Sequence, residues 1–387
     1  MITRTLHPLL VASLGLTRGS EPAGLPSPTD WPDVIEQAER HRLTPLLHHY
    51  LLRTGLFASL PDAAQDELRD RIARITARHL SITHALTTIL KRCAAAAIPC
   101  APLRGPALAT LLDPSLTIRA MDDLDLLIPK RLLGTMVALL ADLGYRHIEQ
   151  RPGFARRFSY ATSFVASAPT PLSVDVHWTL AYPPDHDRIE MEGVWQRAEQ
   201  WEFDGSPGWA ISPPDLLIHL CAHWRHKGGQ EPLLWLVELD RFIRHNQTLD
   251  WSLMRELARD SGQWPTVRET LVEMQNLCET PLSEFVLDPA ALSAQSASPP
   301  LAEAGPREEW AQLASLPDLF TKLRYAGSLL WPSPDYMSWR YGAFTPMALF
   351  RAYLRRSVEL TWSVATWRLA RLCSSIARLS PRLTFFK

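Results

Sequence analysis

The sequence predicts an α+β chain. A mixed α/β block over residues 96–205 is flanked by a helical N-terminal region, 1–95, and a helical C-terminal region, 206–387. Three observations carry this. From Pro61 to Ala97 the residues Leu68, Ile72, Ile75, Leu80, Ile82, Leu86 and Leu90 recur at helical spacing. At Ile98 that spacing gives way to short apolar runs punctuated by glycine and proline. After Pro214 the helical spacing returns. The 32 prolines fall largely in connections such as Pro26-Ser27-Pro28, Pro183-Pro184, Pro213-Pro214 and Pro299-Pro300, and mark the boundaries of the helical blocks.

In order, Leu9 to Leu16 reads as part of an amphipathic helix rather than a cleaved leader, since no small-residue cleavage site follows. Thr29-Asp30 caps a helix with Val34, Ile35 and Ala38 on one face. Pro45 to Leu52 is a short helix, and Pro61 opens the long one. Ile98 to Leu103 carries Pro99 and Pro102 and fits an edge strand. Gly105-Pro106 turns the chain into a helix over Ala107–Leu112. Leu124 to Ile128 is a buried strand, and Arg131 to Leu143 a helix with Gly144 at its C-cap. Tyr145–Gln150, Phe158–Ala166 and Leu172–Leu180 read as further strands. Helices are expected over Leu216–His226, Leu233–His245, Leu253–Ser261 and Val267–Cys278, a loop over 285–306, and a basic helix with Trp362 and Trp367 over Pro346–Leu379.

Composition bounds the setting. Of 387 residues 46% are hydrophobic and 21% charged, the balance of a chain able to build a core. The five cysteines form no CxxC pair and fit buried thiols in a reduced compartment, and no uncharged apolar window reaches the ~18 residues of a membrane span. A cytoplasmic protein is expected. The net charge of −1 is uneven: from Trp339 onward eight arginines and Lys387 face Glu359 alone, a net +8, which leaves −9 for the rest. The basic tail over 346–387 therefore suits an acidic partner or a membrane surface. A helix packed on the domain with a solvated basic face is the plainer reading. Nucleic acid is a third, and a basic stretch is weak evidence for it.

The residues with chemistry sit in the central block. In Asp123-Leu124-Asp125-Leu126-Leu127-Ile128, strand alternation puts Asp123 and Asp125 on one face, about 7 Å apart along the strand, and Leu124 and Leu126 on the other. Paired carboxylates are hard oxygen ligands suited to Mg²⁺ or Mn²⁺ beside substrate phosphates. In Val174-Asp175-Val176-His177-Trp178 the same alternation pairs Asp175 with His177. If the two strands are neighbours, Asp175 supplies a third carboxylate, near the attacking group and able to take its proton. Arg104-Gly105 precedes a helix start where backbone and guanidinium can meet a phosphate, and Arg119 is a second candidate for the triphosphate. Asp122 reads as a flanking residue, and His177 as either a packed histidine or a substrate contact.

These motifs resemble those of the uncharacterised bacterial nucleotidyltransferase family within the polymerase-β-type superfamily. The matching features are Leu103-Arg104-Gly105, Arg119, Asp123-Leu124-Asp125-Leu126-Leu127-Ile128, Leu143-Gly144-Tyr145, and the acidic strand ending in His177-Trp178. Weaker likeness extends to Trp31–Leu47 and Asp215–Arg241. Arg104 stands where the family usually has lysine, and Pro106 where the wider superfamily has glycine or serine. The resemblance implies a polymerase-β-like catalytic domain with a mixed sheet. It implies two divalent ions on Asp123, Asp125 and Asp175, with Arg104, Gly105, Arg119 and His177 toward the nucleotide. The expected reaction is transfer of NMP from an NTP, ATP among them, to an acceptor, a small molecule, peptide or protein before nucleic acid.

Two readings from other classes stay open: a nucleotide- or partner-binding protein on a repurposed scaffold, and a scaffold protein recruited by the basic tail. His219, His223 and His226 share a helix face at i, i+4, i+7. They fit a zinc site, a lining of the nucleotide cleft, or packing. No glutamate follows the first histidine, so the metalloprotease pattern fails.

Overall fold

The computed structural model describes residues 6–14, 25–105, 108, 119–166, 172–183, 186–229, 232–282 and 306–361. The chain divides into two units, residues 1–147 with 163–301, and residues 148–162 with 302–387.

The first unit opens with helices α1 (Pro8–Ser13), α2 (Trp31–Arg40), α3 (Thr44–Arg53) and α4 (Asp62–Ala95). In α2 the buried residues are Trp31, Val34, Ile35 and Ala38, one apolar face as the spacing requires. At its ends α4 follows the macrodipole, with Asp62 in the first turn and Arg92 in the last. Its expected stripe is only partly buried. Leu68, Ile82, Leu86 and Leu90 are enclosed, Ile72 and Ile75 are half-buried, and Leu80 is 61% exposed. At 1.5 Å per residue a helix of 34 residues spans about 50 Å. One end of α4 meets α2 and α3, and the other serves the sheet, so its middle turns face solvent.

The sheet strands are β1 (Ala101–Pro102), β2 (Asp123–Leu127), β3 (Tyr145–Ile148), β4 (Ala161–Ala166) and β5 (Ser173–His177), in spatial order β1-β2-β5-β4-β3. β1 is the short edge its prolines demand, and it runs antiparallel to β2 with Ala101 opposite Leu127. β2 and β5 are parallel, with Asp123 beside Ser173, Asp125 beside Asp175 and Leu127 beside His177. The sheet is therefore mixed. Between β2 and β3 lies α5 (Leu133–Asp142), and Gly144 follows at φ +83°, donating its N–H to the Ala141 carbonyl at 2.9 Å.

Some elements differ from the expectation. The strand placed over Tyr145–Gln150 ends at Ile148, and the one placed over Phe158–Ala166 starts at Ala161. The intervening residues form α6 (Phe154–Phe158), held because the Glu149 carboxylate accepts the N–H groups of Gly153 and Ala155 at 3.0 and 2.8 Å. Three elements are additional: α7 (Met191–Arg197) and the hairpin β6 (Glu199–Phe203) and β7 (Ser206–Ala210). Asp204 and Gly205 turn this hairpin at φ +48° and +68°, the backbone a two-residue turn needs. Trp209 donates to the Cys100 carbonyl at 3.0 Å, so the hairpin covers the approach to the β1 edge.

Four further helices are described in the unit: α8 (Pro213–His226), α9 (Leu234–His245), α10 (Trp251–Asp260) and α11 (Trp264–Cys278). They share a core with α1 to α4 that includes Leu47, Leu217, Trp224, Val237, Phe242 and Leu271. The second unit contains α6 and helices α12 (Pro306–Ser315), α13 (Leu319–Leu330), α14 (Pro334–Tyr341) and α15 (346–361). Its small cores are Phe158, Tyr325, Leu329 and Leu360, and Met337, Ala343 and Ala352. Of the loop expected over 285–306, Pro306 opens α12 and the rest lies outside the described residues, as do Pro106, the helix over 107–112 apart from Leu108, and residues 362–387 with Trp362 and Trp367.

The uneven burial of α4 gives a contrast. Leu86→Ala should cost about 2–5 kcal/mol in urea unfolding, whereas Leu80→Ala should stay within about 0.5 kcal/mol.

Candidate active site

The parallel register of β2 and β5 creates the site. It sets Asp125 beside Asp175, with Asp123 two residues back on the same face. One carboxylate oxygen from each of Asp123, Asp125 and Asp175 lies within 4.8 Å of the others. The alternate residues Leu124, Leu126, Val174 and Val176 are fully buried and lock both strands to the core.

The three acids are not equivalent. Asp125 is buried, with Oδ2 ion-paired to the Arg104 guanidinium and Oδ1 3.2 Å from His177 Nε2. Burial alone raises its pKa, but Arg104 and then His177 outweigh it and hold Asp125 well below the usual carboxylate range. Asp123 moves the other way, raised by burial and by the Asp125 charge against the pull of Arg104 and Arg42. Asp175 is pushed up to about 6 by burial, then by Asp125, although Ser163 donates to it. Its Oδ1 is shut off from solvent and meets no donor. This donor set fits a divalent cation: hard oxygens converge, and one of them is an orphaned buried acceptor.

Arg104, also buried, stays charged. Burial disfavours its cation, but Asp125, Asp123 and Glu238 raise its pKa despite that. It lies 5.6 Å from the centre of the Trp235 ring, and its Nε meets no acceptor. Gly105 follows at φ +79°. A Cβ there would find its nearest atoms at 3.8 and 3.9 Å, so backbone conformation rather than space calls for glycine.

Arg119 is paired with a carboxylate of α9. It is buried with its guanidinium forked onto Glu238, Nη2 lying 2.9 Å from Oε2 with Nε on Oε1. Two donors aligned on a buried carboxylate fix the segment entering β2 to helix α9. Asp122, the flanking residue, is exposed and ion-paired to Arg42.

The histidine face of α8 adjoins the acids. His219 donates from Nδ1 to the Leu180 carbonyl at 2.9 Å, and its ring lies 6.2 Å from that of His177. His223 Nδ1 is 2.7 Å from the Tyr182 hydroxyl, and His226 stacks on the Tyr182 ring at 3.9 Å. Burial drives His219 and His226 down to about 3 and His223 well below its ordinary value, so the row is neutral. Among the described residues the metal-holding geometry is that of the carboxylates. The histidines are held by Leu180 and Tyr182.

Four residues of this neighbourhood are absent from the sequence reading: Ser163, Tyr182, Trp235 and Glu238. Trp235 and Glu238 stand three apart on one face of α9, in a run where the acid sits among apolar residues (Leu234 to Leu239). A buried acid in such a run was the available signal. Ser163 and Tyr182 carry none.

A carboxylate trio on adjacent strands of a mixed sheet, with a buried arginine beside it, defines an acid-centred site of α+β type. Residues 27–275 match the family described as uncharacterised nucleotidyltransferase, and the chain belongs to that family. It is thus a nucleotidyl-group transferase with a nucleotide substrate, as its motifs led one to expect. A crystal structure of an antigenic nucleotidyltransferase-like protein from Paracoccidioides brasiliensis is also similar. It is 12% identical with a TM-score of 0.32, and the match covers 52% of this chain and 93% of that one. No curated protein matches.

Two outcomes follow from the electrostatics. The pKa of Asp175 is higher folded, about 6, than unfolded, 3.8. The stability it contributes is full below pH ~4 and is lost as pH rises through ~6. Metal-free wild type should lose stability over this window, and Asp175→Asn should lose on the order of 2–3 kcal/mol less. Glu238→Ala should cost about 3–5 kcal/mol by stranding Arg119, with most of it recovered in Arg119→Met/Glu238→Met.

Proposed function

We propose that the chain transfers NMP from an NTP to an acceptor with the help of divalent metal ions held by Asp123, Asp125 and Asp175. The convergence of these three carboxylates within 4.8 Å is the observation that carries the reading. Mg²⁺ or Mn²⁺, two ions in all, would supply charge neutralisation for the triphosphate and activation of the attacking oxygen. Asp123 and Asp125 are assigned to both ions, and Asp175 to the one nearer the nucleophile.

This chain's own residues account for the rest. Arg104, preformed and charged beside Asp125, exchanges part of that pairing for a phosphate oxygen, with its unpartnered Nε facing a new acceptor. Gly105 lets the backbone approach the phosphates. His177 orients Asp125 by its contact to Oδ1. Asp175 is the acceptor for the proton of the attacking group. The new bond joins the acceptor oxygen to the α-phosphorus, and the bond to the departing pyrophosphate breaks. Arg119 we assign to positioning, since Glu238 occupies its fork. The chain is placed in the cytoplasm on its free, buried thiols Cys93, Cys100, Cys221 and Cys278. The acceptor is a small molecule, peptide or protein.

The test measures thermal shift with each of the four NTPs, with Mg²⁺ or Mn²⁺ and with EDTA. Ligand at about 100 times Kd stabilises by about 2.7 kcal/mol. That gain should vanish with EDTA and in Asp123→Asn/Asp125→Asn. Pyrophosphate release from the stabilising NTP should fall about 100-fold or more in Asp123→Asn with the fold intact. Undiminished release by that variant would sink the assignment, and binding without any release would favour a non-catalytic nucleotide-binding scaffold.

A further inference from the structure

In the second unit, helix α15 has two apolar faces. Its inner face, with Ala352, Arg356 and Leu360 buried, packs into the unit; Arg356 donates to the Leu329 carbonyl at 2.6 Å. A helix closing a small domain normally turns polar residues outward. Here Met347, Phe350, Leu354 and Val358 recur at i, i+3, i+7 and i+11 on the opposite side, and are 61%, 60%, 54% and 68% exposed. The rest of the unit shows the same bias. Of the twelve large hydrophobics exposed by half or nearly so among the described residues, ten lie between Leu319 and Val358, including Phe320, Trp331 and Phe344.

The charge beside this stripe is one-sided. Arg351 and Arg355 are exposed along one flank of it, and Glu359, ion-paired with Arg355, is the lone acid. From Trp339 to the end the sequence carries a net +8. No helix among the described residues is long and apolar enough to cross a membrane. An apolar stripe beside exposed arginines, on a helix whose described residues do not make a span, matches the physics of a helix lying in the interface of an anionic bilayer. The apolar side chains would enter the acyl boundary while the guanidiniums meet lipid phosphates. The positive balance of this part of the sequence disfavours a second copy, because pairing two such chains here would bring like charges together.

We propose that the outer face of α15 docks the protein on an anionic phospholipid surface, with Met347, Phe350, Leu354 and Val358 as the inserted residues. The inference is independent of the reaction assigned above.

The experiment is co-sedimentation of the full chain with vesicles of phosphatidylglycerol and phosphatidylcholine, and with phosphatidylcholine alone, at low and high salt. Binding to the anionic vesicles is expected, weakened at least tenfold by high salt or by omitting the anionic lipid. Met347→Ser/Phe350→Ser/Leu354→Ser/Val358→Ser should weaken it at least tenfold with an unchanged melting temperature, since these residues already face solvent. Arg351→Gln is a milder variant and should reduce binding to anionic vesicles severalfold. Absence of wild-type binding at low salt overturns the proposal, as does binding unaffected by the quadruple substitution. A concentration-dependent dimer that the quadruple substitution makes monomeric would instead assign the stripe to a second copy, and overturns it too.

Discussion

Bringing three carboxylates together inside a protein is opposed by their mutual repulsion, and the rest of the site is organised around that cost. At the 4.8 Å that bounds their separation, two ionised groups repel by about 3–4 kcal/mol at an effective dielectric of ~20. One buried cation, Arg104, is built in, and it sits on Asp125. The remaining two acids rise in pKa, so each holds its proton to a higher pH than a free aspartate does. The site is thus poised to exchange protons for metal. The scaffold supports this tension with four fully buried aliphatic residues on the reverse faces of the two strands. A one-residue slip of β5 would put Val174 or Val176 beside Asp125 and dismantle the trio.

Much of this was legible because strand geometry is strict. Alternation alone assigns Asp123 and Asp125 to one face of their strand and Asp175 with His177 to one face of theirs. Only the adjacency of the two strands had to be supposed, and β2 and β5 are neighbours in register. Gly105 was legible for the same reason, since a glycine at a strand end announces an unusual backbone. The long helix was legible in extent but not in burial. Periodicity reports which residues share a face, and it is silent on where a helix of about 50 Å outruns the core. The hairpin turned by Asp204-Gly205 had a usable sequence signal, the dipeptide between strand-like runs, whereas α6 depends on the reach of Glu149 to two N–H groups and has none.

Arg119 shows what motif position leaves unseen. An arginine shortly before the acidic strand looks available to a phosphate until its partner is known, and that partner, Glu238, is 119 residues away on α9. Long-range ion pairs of this kind leave no local trace. The same is true of the histidine face on α8. Its i, i+4, i+7 spacing allowed a metal site, a cleft lining or packing. Tyr182, between the third carboxylate strand and α7, holds two of these rings and fits the row to the wall of the site as neutral groups. Neutrality matters there: a protonated histidine row would compete with bound cations for the carboxylates, whereas buried imidazoles near pKa 3 cannot do so at physiological pH.

The division of the chain follows the same economy of charge. The acids of the site and the net negative balance lie in the portion before Trp339, and the positive excess is confined to the end. Were the tail merely a solvated cap, its helix would need one apolar face. The second apolar face on α15 and the other large hydrophobics of that unit that face solvent lie outside the buried residues of its two small cores. Exposed apolar area on this scale is disfavoured in water and is retained where something apolar covers it. Charge then selects among the candidates for that cover. A positively charged segment is drawn to a negative surface more than to its own copy, and a lipid interface offers both the anionic layer and the apolar depth that this helix presents to it.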